Sequence, residues 1–461
     1  MNQRWTLHVE NFARIESADI EISSLMCFIG DNNSGKSYVM SLLWGIMSNE
    51  EFFLNEEKFK FESYITCREF IASHIDKEVT VTDNISQIFI RFFNDLLNEC
   101  KENLVRKIFN HDIEIGRLEI KNLTHAKKLR LKFRYSENKT HLSFKRYQKT
   151  KLVPDGEDEI DDSKIEISIT ADDKYIDMAL WKATVKIAFS ILMMDWLTVA
   201  KNIKSANPIY LPASRTGFLM TYPQLASNLL KLAFSFSSES SKLQNKLTAP
   251  YIQFLQLLIE LNDSIESERA EYKDLTEFIS KEILHGTVKV TKNIKTVQYQ
   301  ADDMKKILPM SITSSVVTET AALLLLLTTK IPLRLVIIEE PEAHLHPALQ
   351  KKMAQLLIRL VHSGISVWIT THSDTILQHF NNMIKLRNRS EKECEELLKE
   401  FEYTEEDLLT PEEINLYQFE RGDKHTTIQK LQSGKYGFVV PSFNKAIDIL
   451  MSEIFAFQED D

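Results

Sequence analysis

No apolar run in this chain approaches the length of a bilayer crossing. The longest, "AALLLLL" at residues 321–327, reads as one buried helix. The opening "MNQRWTLHVE" alternates and has no apolar stretch, so no signal peptide is expected and the cytoplasm is the expected location. Cysteine is scarce. Cys27, Cys67, Cys100 and Cys394 lie far apart without metal-ligand spacing, which suits free thiols in a reducing compartment. Internal repeats and low-complexity tracts are missing. Glycine is rare, with 11 in 461 residues, so two glycines placed close together carry weight. A net charge of −10 excludes a chain that coats nucleic acid over its whole surface. What is present is an ordinary globular share of hydrophobic residues, 43%, in a length sufficient for two or three domains.

One pair of glycines stands five residues apart in "FIGDNNSGKSYVM" (28–40). Gly30-Asp31-Asn32-Asn33-Ser34-Gly35-Lys36-Ser37 satisfies G-x-x-x-x-G-K-S/T. Such a loop wraps a polyphosphate with backbone N–H groups, and a Cβ at either glycine would obstruct the approach. Lys36 would neutralise the β and γ phosphates, the Ser37 hydroxyl would bind Mg²⁺, and the backbone N–H of Tyr38 can serve the phosphates. The flanks agree. "SLMCFIG" reads as a short apolar strand and "KSYVMSLLWGIM" as a helix that opens at the loop, so phosphate would meet a helix N-terminus.

About 300 residues on, "LRLVIIEEPEAHLHPALQ" (333–350) is a β-branched run ending in two acids, the pattern of a strand buried on both faces of a parallel sheet. Glu339 can hold Mg²⁺, directly or through water, and Glu340 can orient or deprotonate an attacking water. A plain acidic helix start would also use Pro341 and Glu342, but it leaves the apolar run unexplained. A helix follows, with Pro347 in its first turn, an apolar stripe of Met353, Leu356, Leu357, Leu360 and Val361, and Gly364 at its stop. "ISVWITTHSDTIL" then reads as another buried strand. Both strands deliver polar residues to one sheet edge, where His372 would sense a γ-phosphate.

This order of motifs resembles the ABC-class ATPases of the RecF, SMC and OLD type, over about residues 1–48 and 175–390. "LHVENFARIESADIEI" is similar to the two-strand opening of those heads, and "PIYLPASRTGF" (208–218) to the segment between their lobes. The resemblance implies an α/β, ABC-type P-loop ATPase head with a mainly parallel sheet, an antiparallel β-lobe and a helical insertion. It implies ATP and Mg²⁺ as cofactors, with Arg215 near the nucleotide. It also implies a homo-oligomer in which ATP lies between the Lys36 loop of one protomer and the signature loop of another. That signature appears only as "SITSSVVTETAAL" (311–323), where Ser314 and Ser315 fit the serine and Val316 stands at an expected glycine. Glu339 replaces the usual aspartate, and Tyr38 the usual small residue.

The expected organisation is a head at 1–48 and 175–390 with a helical arm at about 223–284, an insertion at 49–174 and a C-terminal α/β extension at 391–461. In the extension, "INLYQFERG" and "HTTIQKLQ" read as strands and "PSFNKAIDILMSEIFAF" as a helix. The insertion is expected as helices over 50–110 and basic strands "LRLKFRY" and "HLSFKRY" joined by the turn "SENKT". An acidic linker, "PDGEDEIDDSKIEISITADDK", comes next. Residues 101–150 hold fourteen Lys/Arg against five Asp/Glu, which reads as a solvated face or as a patch for DNA or an acidic phage protein. The closest resemblance is to the ATPase of PARIS-type anti-phage systems, next to that of Septu-type systems. Each works with a separate nuclease. The alternatives are a RecF-like DNA-binding repair ATPase and an ATP-bound scaffold with little turnover.

Overall fold

A computed structural model describes residues 4–55, 61–124, 128–136, 141–151, 159–170, 176–193, 207–234, 247–264, 270–290, 296–329, 331–434 and 437–457. The fold class is α/β, as expected. The chain divides into two compact units, 1–23 with 41–208, and 24–40 with 209–461.

In the first unit the strand Arg4–Phe12 pairs antiparallel with Ile15–Glu21 on one side and with Arg117–Thr124 on the other. The helix Asp83–Phe109 covers this sheet with Phe89, Phe93, Leu97 and Leu104 fully buried. Its Asn94 and Asn98 side chains bond the backbone of Ile120 and Leu118 through both donor and acceptor, at 2.6–3.1 Å. Those bonds satisfy ladder groups that an edge strand would otherwise leave open. The helix Ile176–Leu192, expected in the head, packs here instead, with Trp181 against Phe92 at 5.3 Å. The opening strands belong to this unit too, because Arg4–Phe12 hydrogen-bonds to Arg117–Thr124 and Ile15–Glu21 pairs with Arg4–Phe12.

A four-stranded sheet in the same unit runs Glu78–Thr80, Lys128–Ser136, Glu159–Thr170, His141–Lys151. The two basic strands form as expected, but they do not pair with each other, and the turn "SENKT" lies largely outside the described residues. Between them runs Glu159–Thr170, which was expected as part of an acidic linker. The reason is period-two patterning: Ile165, Ile167 and Ile169 are buried, while Lys164 and Glu166 on the other face pair across strands.

In the second unit the strand Leu25–Gly30 lies between Ser366–Thr370 and Ile414–Arg421, all parallel. Leu335–Glu339 continues the sheet beside Ser366–Thr370, and Ile209–Leu211 beside Leu335–Glu339. The C-terminal strands are therefore not an extension. Ile414–Arg421 completes the parallel sheet next to the glycine loop, with Thr426–Leu431 antiparallel at its side. Of the helical arm expected at about 223–284, the described residues Phe254, Leu258, Ile279 and Ile283 lie in the core of this unit rather than projecting from it. Helix Pro347–His362 buries Met353, Leu356, Leu357 and Leu360 of the anticipated stripe, leaves Val361 half-buried, and stops before Gly364, whose φ is +85°. Among the described residues no helix is long and apolar enough to cross a membrane.

Candidate functional site

The parallel order brings the three motif-bearing strand ends side by side. The glycine loop leaves Leu25–Gly30 and enters the helix Lys36–Ser48. Gly30, Asn33 and Gly35 all have positive φ, at +124°, +58° and +98°. A Cβ on Gly30 would stand 2.0 Å from the Phe419 carbonyl oxygen, so glycine is required there by the C-terminal strand as well as by the turn. That strand also grips the loop. Asp31 N–H donates to Phe419 O at 3.2 Å, and Arg421 N–H donates to Asp31 Oδ2 at 3.0 Å.

Lys36 is buried, and its ammonium donates to the carbonyls of Gly30 at 3.0 Å and Asp31 at 2.7 Å. Burial pulls its pKa down to about 8 against the attraction of Glu340, Asp31 and Glu342. Ser34 is buried as well, whereas Asn32, Asn33, Ser37 and Tyr38 are exposed.

The two neighbouring glutamates have opposite surroundings. Glu339 is 4% exposed, and both its oxygens accept hydrogen bonds, Oε1 from the Tyr210 hydroxyl at 2.8 Å and Oε2 from Ala213 N–H at 3.0 Å. Glu340 carries its side chain 44% exposed on a left-handed backbone, φ +44°. A non-glycine residue holds that conformation only when its surroundings impose it. Here Glu340 N–H donates to Thr370 O at 2.8 Å, and Arg215 Nη2 donates to Glu340 O at 3.0 Å.

Arg215, expected near the nucleotide, lies beneath this turn with its side chain 2% exposed. Its Nη1 donates to Glu339 O at 2.6 Å and its Nε faces Glu319 Oε2 at 2.8 Å. The guanidinium is thus committed to protein groups and positions the acidic turn. Glu319 also receives the Thr216 hydroxyl at 2.6 Å. Tyr210, Ala213 and Glu319 were missed in the sequence. Glu319 left a signal, as the lone acid in the apolar helix Ser315–Leu327.

His372 Nε2 stands 3.9 Å from Glu340 Oε1. Its backbone N–H donates to Glu342 Oε1 at 2.7 Å, and burial with the nearby Lys36 charge lowers the histidine pKa. Burial raises that of Glu342. Ser314 caps and Ser315 opens the signature helix, both exposed, while Val316 packs against the core, which accounts for an apolar residue at that position.

These residues fit a polyphosphate: a positive-φ loop, a lysine and a helix N-terminus converge. They fit a divalent cation through the exposed Ser37 hydroxyl. Glu339 fits less directly than expected, because its buried carboxylate is already engaged, which suits contact through water.

Residues 6–377 match the family model described as AAA ATPase domain. Comparison with curated proteins gives no significant match. Among solved structures the chain is similar to the Smc head domain with an extended coiled coil bound to the C-terminal domain of ScpA, from Pyrococcus furiosus. Identity there is 12% over 97% of this chain and 98% of that one, with a TM-score of 0.35. It is also similar to the SMC head domain from Thermotoga maritima, at 9% identity over 94% and 100% and a TM-score of 0.34.

Proposed function

Because the chain belongs to the AAA ATPase domain family, we propose that it binds ATP with Mg²⁺ at the Lys36 loop and hydrolyses it with Glu340 as general base. The observation that carries this reading is the contrast at the strand end. Glu339 is consumed by internal hydrogen bonds, and Glu340 is turned outward beside His372, on the same sheet edge as Lys36. Lys36 neutralises phosphate charge, Ser37 and, through water, Glu339 hold the cation, and Glu340 takes a proton from the attacking water. His372, held uncharged by its surroundings, donates or accepts one hydrogen bond near the terminal phosphate.

Ser315 stands exposed at the start of a helix that carries Glu319, the partner of Arg215. This suits a closed dimer in which the Ser315 end of one protomer covers ATP held by the other. The biological role proposed is that of the ATPase and sensor subunit of a two-component anti-phage system that controls a separate nuclease. It rests on the resemblance in motif order.

The test is Glu340→Gln. Turnover falls at least ~10²-fold, the scale of a positioned general base, while ATP stays bound. Light scattering then shows an ATP-dependent dimer, which Ser315→Arg abolishes without loss of nucleotide binding. Wild-type turnover in Glu340→Gln refutes the catalytic assignment. A monomer at every ATP concentration refutes the shared site. Failure of a co-expressed nuclease to co-purify, together with salt-dependent duplex binding by the chain alone, replaces the two-component reading with a DNA-repair one.

A further inference from the structure

A cavity of about 530 Å³ opens on the helix that follows the histidine strand, Asp374–Arg387. The volume is that of a small-molecule site. Met383, Leu386 and Leu397 give it an apolar wall. Phe401 and Tyr403 stack near one edge, with centroids 6.4 Å apart and planes at 30°, and the Phe401 side is exposed. Lys351 stands 5.0 Å over the Tyr403 ring.

Two features ask for a ligand. The first is charge. Lys351, Lys385 and Arg389 line the cavity against a single acid, Asp374, whose Oδ1 accepts from Gln378 at 3.4 Å. Neither Lys385 nor Arg389 forms an ion pair among the described residues. The second is His379, which also lines the cavity. It is 4% exposed, and its Nε2 is buried with no hydrogen-bond partner among the described residues. Burial and the neighbouring Lys351 charge pull its pKa down to about 4, so at neutral pH it is an uncharged imidazole. A buried polar atom left unpartnered costs stability, which a bound donor or acceptor would restore.

We propose that this cavity is a binding site for a small anionic ligand with a planar ring, of the mononucleotide class. The ring lies against Phe401 and Tyr403, its edge bonds His379, and the phosphate meets Lys385 and Arg389. The site is distinct from the Lys36 loop and regulates it. Lys351 follows Gln350, whose Oε1 accepts from the Ser373 hydroxyl at 2.6 Å, and Ser373 both caps the cavity's helix and adjoins His372. A ligand held between Lys351 and Arg389 therefore bears on the histidine that faces Glu340. This regulatory part rests on the proposed ATPase reading, and the binding part does not.

The experiment is calorimetric titration of the full chain with a panel of nucleoside 5′-monophosphates, ribose 5-phosphate and adenosine. At least one monophosphate binds wild type and Lys36→Ala alike. Binding weakens about tenfold or more for each of Lys385→Ala and Arg389→Ala, the scale of one charge-assisted hydrogen bond. Arg389 is exposed and Lys385 half-buried, and an unchanged Tm confirms folding. Ribose 5-phosphate and adenosine bind at least tenfold more weakly, since each lacks one half of the recognition. Saturating ligand changes the ATPase rate of wild type and leaves that of the Lys385→Ala/Arg389→Ala variant as it was. No binding by any monophosphate at millimolar concentration overturns the proposal. So does binding that Lys36→Ala removes and Arg389→Ala spares, which would place the ligand in the glycine loop. Binding without a change in ATPase rate overturns the regulatory part alone.

Discussion

The Glu339–Glu340 turn and the four-stranded sheet of residues 78–170 use the same charged side chains to different ends. In the sheet, Arg130 pairs with Glu78 at 2.8 Å and Arg134 with Glu166 at 2.6 Å, on a face where the arginines are 35% and 54% exposed. Water competes for each of those groups, so the pairs add little. At the turn, Arg215 and Glu319 are each 2% exposed, and the guanidinium also holds two consecutive carbonyls. There no water replaces a lost partner. The difference shows how a short polypeptide turn can be kept in a left-handed conformation: by a buried cation whose every alternative is worse. It also shows that the nine net positive charges counted over 101–150 are not the whole charge of the basic strands' surroundings. The acids that offset the strands arrive from Glu78 and Glu166, outside the window.

Breaking the buried side of the comparison has the largest expected effect. Arg215→Met takes the buried cation from Glu319, leaving it the Thr216 hydroxyl, and costs about 3–5 kcal/mol of stability, measured by denaturant unfolding. The double variant Arg215→Met/Glu319→Leu recovers most of that loss but not ATP turnover, because the carbonyls of Glu339 and Glu340 stay unheld. Turnover restored together with stability would mean that Arg215 does not position the turn.

An intermediate effect comes from pH. Lys36 loses its charge as pH rises through about 8. Phosphates favour the charged form, so ATP binding takes up protons and weakens above that pH, by up to about tenfold per unit. Lys36→Arg keeps the charge and flattens the slope. Calorimetry in buffers of different ionisation enthalpy measures the proton uptake directly, and uptake near zero between pH 8 and 9 would refute the role given to burial.

The smallest effect lies on the exposed side. Arg130→Ser and Arg134→Ser each change stability by ~0.2–1 kcal/mol and leave basal ATPase unaltered. A larger loss, found by the same unfolding assay, would show that the sheet's surface pairs act as a network.

Much of the candidate site was legible because the chemistry proposed for it depends on local order. A loop that must wrap phosphate needs glycines, lysine and serine at fixed spacing, and a strand buried on both faces cannot hide its apolar run. "FIGDNNSGKS", "LVIIEEPE" and "WITTHS" therefore announced themselves, and the described strands end where those motifs begin. What the sequence could not carry is which distant segment closes around them. Ile414–Arg421 reads as an ordinary strand, yet it lies beside Leu25–Gly30 and supplies the Phe419 carbonyl that leaves Gly30 no room for a Cβ. Glu159–Thr170 reads as acidic by composition, yet its alternating isoleucines draw it between two basic strands. Tyr210 and Arg215 stand far from Glu339 along the chain and meet it where Ile209–Leu211 pairs with Leu335–Glu339, and Glu319 joins them through Arg215. Local composition determined which residues could do chemistry. Tertiary packing decided which of two adjacent glutamates is buried and bonded and which stays exposed, because burial and hydrogen bonding depend on neighbours that the linear order does not supply.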